Sequence, residues 1–324
     1  TKAEYLIREG DNKGRVSAVV ATDQDGNYIR FEGSKAVVLA TGDFSANHDM
    51  MAKYCSAFQD FVSVVPDDYD AEFQFGGLMP GDGHKMGLWV GAAWQYTAPS
   101  APMIGWYGFP SPESDQNHPG ILLNVEGQRF MNEDTSSVYA GYAIQGQTQR
   151  TVYSVWDSKF AYAYDKWNGL GVNLDYLGLQ PMTSEEKAAE FEQNVENRVF
   201  VKGDTIEEVL QKLEGIDMEN AISTIEQYNT FCDQGKDSEY HKNPVNLNPI
   251  KAGPFYGAKN TMGPDQFLCV LGGLRTNEKS EVLDNDCKPI EGLYMVGTGN
   301  GDVFGTFYNF RVPGMNLGLN CVTL

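Results

Sequence analysis

The run Val37-Val38-Leu39-Ala40-Thr41-Gly42-Asp43-Phe44-Ser45 passes from an apolar strand into a turn of small residues, and a near-copy of that turn returns far down the chain as Gly292-Leu293-Tyr294-Met295-Val296-Gly297-Thr298-Gly299-Asn300. Glycine suits such turns because a backbone without Cβ passes close to a ligand or to another strand. Two strand-to-glycine turns framing one chain predict a nucleotide-cofactor domain interrupted by an insertion, an α/β fold carrying an α+β insertion.

Around the first turn, the short alternating runs Tyr5-Leu6-Ile7, Arg15 to Ala21 and Tyr28 to Phe31 are separated by Asp11-Asn12-Lys13-Gly14 and Asp25-Gly26-Asn27. Alternation punctuated in this way predicts a small antiparallel meander feeding the buried strand at 36–39. Next, the stretch from Gly81 to Ala92, Gly-Asp-Gly-His-Lys-Met-Gly-Leu-Trp-Val-Gly-Ala, reads as a helix with glycines that permit close approach at its start, an end suited to an anion. From about Pro99, Pro, Trp and Tyr cluster, and mixed strands and helices run on to about Gly257. Within that block Asp204 to Leu213 opens on a capping Asp or Thr, a second helix is expected from Met218 to about Cys232, and Glu185 to Glu196 reads as a charged, solvated stretch.

The 324 residues carry a formal charge of −20, which repels phosphate backbones and anionic lipid and argues against a nucleic-acid partner. No apolar run approaches the roughly 18 residues of a membrane span. Cys55, Cys232, Cys269, Cys287 and Cys321 lie far apart, with no C-x-x-C pair and four histidines in the chain. No zinc or iron–sulfur site is therefore expected; the cysteines are read as free thiols, with one disulfide left open.

Four segments agree in order and spacing with a known family. They are Ala36 to Phe44, Gly81-Asp82-Gly83-His84-Lys85-Met86, Ile121 to Glu133 (Ile-Leu-Leu-Asn-Val-Glu-Gly-Gln-Arg-Phe-Met-Asn-Glu), and the closing glycine-rich segment. Together they resemble the FAD-dependent oxidoreductase 2 family, the fumarate reductase/succinate dehydrogenase flavoprotein superfamily that includes 3-ketosteroid dehydrogenases and urocanate reductases. Gln227-Tyr228-Asn229-Thr230-Phe231 and Gly253-Pro254-Phe255-Tyr256-Gly257 are similar to pieces of its cap domain. The resemblance implies a glutathione-reductase-like FAD domain built from residues 1–97 and 269–324, with a fumarate-reductase-type cap of residues 98–268 inserted between them. The family's opening G-x-G-x-x-G segment, which receives the FAD pyrophosphate, is not found before residue 36. The chain is therefore expected to be the C-terminal portion of a longer flavoprotein, with a partial FAD domain. The intact protein would bind FAD, and this portion would hold none and be inactive alone. The compartment, cytoplasm or bacterial cell envelope, is left open.

The resemblance also implies site residues. In the family an alkene conjugated to a carbonyl is reduced while an Arg supplies a proton, and further Arg and His residues clamp substrate carboxylates. Arg311, in Asn309-Phe310-Arg311-Val312-Pro313-Gly314, matches the family's closing Arg. Glu113 falls at the carboxylate of the proton relay, a solvated loop carboxylate being its other reading. The relay's arginines correspond to Gln116 and Ser137, which are not cationic acids, and the clamping His is missing, its place being taken by Leu268-Cys269-Val270-Leu271-Gly272-Gly273. A bulkier enoyl or enone substrate, steroid-like or an aromatic acrylate, is expected in place of fumarate. Tyr107, Tyr139 and Tyr308 are candidate proton or hydrogen-bond donors. On the cofactor side stand Thr41, Gly42, Asp43, Gly299 and Asn300, with Gly314, Met315, Asn316 and Leu317 beside the flavin pyrimidine; His84 is read as packing. No NAD(P)H domain or haem C-x-x-C-H motif is found, so an external electron donor such as a cytochrome or another flavoprotein is implied. The rival reading is a non-catalytic fragment that holds a ligand or partner without flavin.

Overall fold

The parallel pairing of two strands from opposite ends of the chain organises the first half of the fold. The computed structural model describes residues 1–55, 79–97, 99–104, 120–135, 137–163, 183–262 and 267–305. Twelve strands lie among them: β1 (Lys2–Arg8), β2 (Val16–Thr22), β3 (Tyr28–Glu32), β4 (Val37–Leu39), β5 (Ala101–Ile104), β6 (Ile121–Asn124), β7 (Thr151–Asp157), β8 (Val201–Gly203), β9 (Phe255–Thr261), β10 (Phe267–Leu271), β11 (Glu281–Leu283) and β12 (Pro289–Met295). The chain divides into two compact units, residues 1–105 with 263–324, and residues 106–262.

In the first unit β1, β2 and β3 form the expected antiparallel meander. Asp23 makes its second turn by accepting the backbone N–H groups of Asp25 and Asn27 at 2.9 and 2.8 Å, the usual use of Asp in a hairpin loop. Val16, Ala18 and Val20 of β2 point into the core. A second sheet runs β11-β12-β4, antiparallel between β11 and β12 and parallel between β12 and β4, with Leu293, Tyr294 and Met295 opposite Val37, Val38 and Leu39. Helix Asp82–Trp89 adds Met86 to the shared core of Leu39, Leu274, Val282, Leu293 and Met295. Gly87 allows that approach, since a Cβ there would lie 2.3 Å from Leu274 Cδ1. β10 pairs antiparallel with β5.

The second unit is an antiparallel sheet in the order β6-β7-β9-β8. Every residue of β7 is buried because both faces of the sheet are covered. Tyr153 and Val155 pack with Ile121 and Leu123 of β6 against helices Ile206–Leu213 and Met218–Gln234. Trp156, on the other face, packs with Phe191, Phe200 and Tyr256. Thr205 caps the first of those helices, and Asp217 and the left-handed Gly235 bound the second, as cap chemistry requires. Residues 184–196 depart from the expected solvated stretch. They form an amphipathic helix opened by a reciprocal capping box between Thr183 and Glu186, and it buries Ser184, Lys187 and Phe191. One aromatic among many charges anchors it, a pattern that charge counting overlooks.

A buried ionic cluster ties this unit together. The Arg129 guanidinium donates to Glu133 at 3.0 and 2.7 Å and to Asp237 at 3.0 Å, and lies over the rings of Tyr228 and Tyr240. Lys242 Nζ donates to Gly120 O at 2.7 Å and pairs with Glu133 at 3.5 Å. Burial pushes the Asp237 carboxyl up, but the Arg129 bond and charge and the neighbouring amides outweigh it and hold the group at about 2. Replacing Arg129 by Met takes the cation from buried Asp237 and leaves Glu133 with Lys242, so Arg129→Met should cost about 3–5 kcal/mol of stability. Urea unfolding of the full chain followed by tryptophan fluorescence checks this, and a loss below about 1 kcal/mol would count against a stabilising cluster.

Candidate functional site

Because β4 and β12 run parallel, both glycine turns leave the sheet at the same end. Val296 N donates to Leu39 O at 3.0 Å and holds the turns together where they begin. Gly42 is left-handed, at φ 74°. A Cβ on Gly299 would stand 3.2 Å from Gly42 O, and one on Gly83 would overlap Thr41 Oγ1 at 2.0 Å. Contact this close is open only to glycine.

Asp43, buried within the first turn, accepts from Ser45 N and Ser45 Oγ at 3.1 and 2.8 Å and, through its other oxygen, from Val270 N at 2.7 Å. The turn is thereby fastened to β10. Burial pushes the Asp43 carboxyl up, partly countered by these donors. The neighbouring Cys55 thiol, which donates to Ser100 O at 3.3 Å, is pushed up to about 12 by burial and by the Asp43 charge, so it is an inert thiol.

The second turn is stitched to two further segments. Gly272 N donates to Thr298 O at 2.8 Å, and Leu274 N to Gly299 O at 3.2 Å. Asn300, also buried, accepts from Thr276 Oγ1 through its side-chain oxygen. Gly273 N donates to Gln95 Oε1 at 2.8 Å while Gln95 Nε2 donates to Thr97 O at 2.6 Å. Asp302 accepts from Tyr96 N, Thr97 N and Thr97 Oγ1 at 2.8 to 2.9 Å. His84, 0 % exposed, sits among these segments with Nε2 3.4 Å from Gly272 O and the rings of Phe44 and Trp94 at 5.3 and 5.7 Å. Burial pushes its imidazole down to about 4, the Gly272 contact opposing. Its Nδ1 has no hydrogen-bond partner among the described residues.

Thr41, Gly42, Asp43, Gly299 and Asn300 are thus brought together in the first unit. Tyr139 belongs to the second unit, on helix Ser137–Gln145. Tyr107, Glu113, Gln116, Tyr308, Arg311, Gly314, Met315, Asn316 and Leu317 lie outside the described residues. Sequence reasoning missed Gln95, Thr276 and Asp302; the doublet Gly272-Gly273, whose Cβ positions would collide with Gln95 and His84, is a signal for Gln95 alone. Among the described residues no group of three or more His, Cys, Asp or Glu is placed to hold a metal ion, and no helix is long and apolar enough to cross a membrane. The glycine-walled cradle fits a nucleotide cofactor approached by backbone.

Comparison with known proteins agrees. The model of the FAD binding domain family matches residues 1–310. The chain is 29% identical to the vinyl phenol reductase of Lactiplantibacillus plantarum over 94% of this chain and 62% of that protein. It is also 29% identical to the 3-oxosteroid 1-dehydrogenase of Mycolicibacterium smegmatis, over 94% of this chain and 54% of that protein. It spans a little over half the length of these relatives. In fold it is similar to a 3-ketosteroid-delta4-(5alpha)-dehydrogenase from Rhodococcus jostii, with a TM-score of 0.69 at 24% identity, covering 98% of this chain and 56% of that one. The family span corrects the expectation of a C-terminal portion that lacks the family's opening G-x-G-x-x-G segment and keeps a partial FAD domain: the pattern is matched from residue 1 to residue 310. The physical reason is that strand and turn spacing along the whole chain carries the pattern, in the meander, the turn at 41–43 and the closing strand, and no single glycine loop decides it.

His84 makes stability depend on pH. Its imidazole titrates near 6.5 when unfolded and at about 4 when folded, so the unfolded chain binds more protons between those values. The stability this group contributes is complete above about pH 6.5 and is lost as pH falls toward about 4, a change of roughly 3 kcal/mol. From pH 7 to 4.5 the urea midpoint of the wild type should fall more steeply than that of His84→Gln. Asp43, raised by burial, works in the opposite sense but is common to both proteins, so parallel curves would refute a buried neutral His84.

Proposed function

Because the chain belongs to the FAD binding domain family that its residues 1–310 match, we propose that the protein is an FAD-dependent oxidoreductase that reduces, or in reverse introduces, a carbon–carbon double bond conjugated to a carbonyl. The observation that carries this reading is the pair of glycine turns, 41–43 and 297–300, set side by side at the carboxyl ends of parallel strands. Open α/β sheets bind ligands at such ends. Bound FAD supplies the hydride chemistry that side chains lack. In this reading Thr41, Gly42, Asp43 and Gly299 line the cofactor. The Asn300 amide nitrogen serves as a donor, its oxygen being engaged by Thr276. Gly314, Met315, Asn316 and Leu317 supply backbone amides where charge develops on the flavin pyrimidine. Residues 1–97 and 269–324 form the FAD domain and residues 98–268 the cap.

On the substrate side, Arg311 orients the carbonyl or carboxylate through its planar fork, Tyr308 or Tyr139 donates the proton, and Glu113 relays it. With Gln116 and Ser137 where a cationic acid is needed, the preferred substrate is a bulkier enoyl or enone compound and not fumarate. The name of one relative, an oxosteroid dehydrogenase, supports an enone, and that of another, a vinyl phenol reductase, supports a bulky aromatic alkene. Electrons are exchanged with an external carrier such as a cytochrome or another flavoprotein.

A flavin absorption spectrum of the purified protein is the first test, and protein without flavin would favour a non-catalytic binding role. Assayed with a reduced dye as electron donor, fumarate should turn over about 10²–10⁴-fold more slowly than a vinyl-phenol or enone substrate. Fumarate turnover at or above about 10 s⁻¹ would show that the acid has been misplaced. Arg311→Lys keeps the charge and loses the fork, so kcat/KM should fall at least about tenfold, roughly 1.4 kcal/mol of transition-state stabilisation, with flavin still bound. A lowered melting temperature with unchanged kinetics would make Arg311 a structural ion-pair partner.

A further inference from the structure

We propose that His84 is the positioning residue of the cofactor turns: its imidazole sets the separation of segment 272–274 from segment 297–299, and through it the grip of the site on the flavin. The flavin part rests on the function proposed above; the spacing part rests on geometry alone.

His84 comes from a third element, helix Asp82–Trp89; its ring fills the volume that a side chain on Gly273 would need and borders the volume at Gly299, which Met295 Cε fills. A Cβ on Gly273 would stand 2.3 and 2.4 Å from its Nε2 and Cδ2, and one on Gly299 would stand 3.1 Å from the same Nε2. Both positions are therefore backbone closed around one edge of one ring. The turns are also bonded directly, Gly272 N to Thr298 O and Leu274 N to Gly299 O. Their spacing is thus set by two hydrogen bonds between them and by a ring packed against both. Phe44 stands edge-on at 5.3 Å. It follows directly on Asp43, so the first glycine turn is indexed on the same ring.

The contact of Nε2 with Gly272 O at 3.4 Å selects the tautomer with hydrogen on Nε2, which leaves Nδ1 a bare acceptor without a partner among the described residues. An apolar side chain of this size would fill the space without burying such an atom. What histidine adds is a donor at the Nε2 position, directed at a backbone carbonyl of the turn it spaces.

Asn and Gln separate the two ring nitrogens, since the Gln amide nitrogen reaches the place of Nε2 and the Asn amide only that of Nδ1. Hydrogen exchange at the Gly272 and Leu274 amides reads the spacing directly. In the full chain, His84→Leu and His84→Asn should speed exchange at both amides at least about tenfold while the β1–β2 amides of the meander stay unchanged, and His84→Gln should remain within about threefold of wild type. The dissociation constant for FAD, measured by flavin fluorescence on the same preparations and corrected for the folded fraction, should weaken at least about tenfold in the Leu and Asn variants and hold within about threefold in the Gln variant. Unchanged exchange in the Leu and Asn variants, or a Gln variant as fast as Leu, overturns the proposal. Should the Leu variant fail to fold, the Asn and Gln pair carries the test. Wild-type protein that takes up no FAD while exchange follows the expected order would remove the flavin reading and leave His84 as the spacer. FAD affinity indifferent to His84, with exchange altered, would overturn the link between the spacer and the cofactor.

Discussion

The register of β4 on β12 is the constraint on which the first unit depends. Leu39 and Met295 face each other in that pairing and both are buried, and each is followed by a turn that has no stable position without the other. Closing a chain segment as long as the one between them is tolerable because loop-closure entropy grows only with the logarithm of length. What must be supplied is local: three residue pairs of parallel ladder, the apolar contacts of Leu39, Leu293 and Met295 with Met86 and Leu274, and the bond from Val296 N to Leu39 O. A slip of one residue would turn Leu39 to the other face of the sheet and carry the Thr41-Gly42-Asp43 turn away from Gly299. The pairing therefore specifies the site as well as the core.

Burying polar groups beside that pairing costs free energy, and the structure offsets most of the cost by bonding them to one another. Asp43 holds three donors, Gln95 bridges Gly273 and Thr97, and Asp302 gathers both backbone N–H groups of Tyr96 and Thr97. Each of these side chains satisfies backbone groups that irregular turns leave without ladder partners. His84 keeps one ring nitrogen without a partner among the described residues. Buried networks of this kind fix one geometry where an apolar core would allow several, and a turn that must receive a ligand by its backbone needs one geometry.

Much of this was legible in the residues, and the remainder has physical reasons for being hidden. Alternation and Asp/Gly turns gave β1, β2 and β3; a capping Asp or Thr gave the helix that Thr205 opens; small residues after an apolar strand gave both halves of the cradle. Helix Ser184–Glu196 was hidden because its buried face rests chiefly on Phe191 among acidic neighbours. The Arg129, Glu133, Asp237 and Lys242 cluster was hidden because its members meet only through the fold. Asp302 carries no local signature, since the backbone it bonds, at Tyr96 and Thr97, is far away in sequence. The largest error came from weighting one absent glycine loop above the spacing of all the segments present. His84 looked like packing because it lies inside an apolar helical pattern, and nothing in that pattern shows that the ring edge meets Gly273 and Gly299.

Charge gives the last step of the argument. A dicarboxylate needs cations at its binding site, and the chain's overall −20 neither supplies nor forbids them, because exposed charges beyond about 8 Å are screened at physiological salt. The local groups decide. Among the described residues, the titratable and amide side chains buried around the glycine turns are Asp43, His84, Gln95 and Asn300; Asp43 is an acid, Gln95 and Asn300 are neutral, and burial drives His84 toward its uncharged form. None of the four offers the positive charge that would offset desolvation of a second carboxylate, a cost of several kcal/mol when such a group is buried unpaired. An extended conjugated carbonyl compound brings one polar oxygen and a large apolar body. In the proposed reaction that oxygen is met by a single oriented guanidinium, and the body contributes burial of about 25 cal/mol per Å². The same reasoning favours a tyrosine over an arginine as proton donor, because a neutral acid can stand against an apolar substrate without burying a charge.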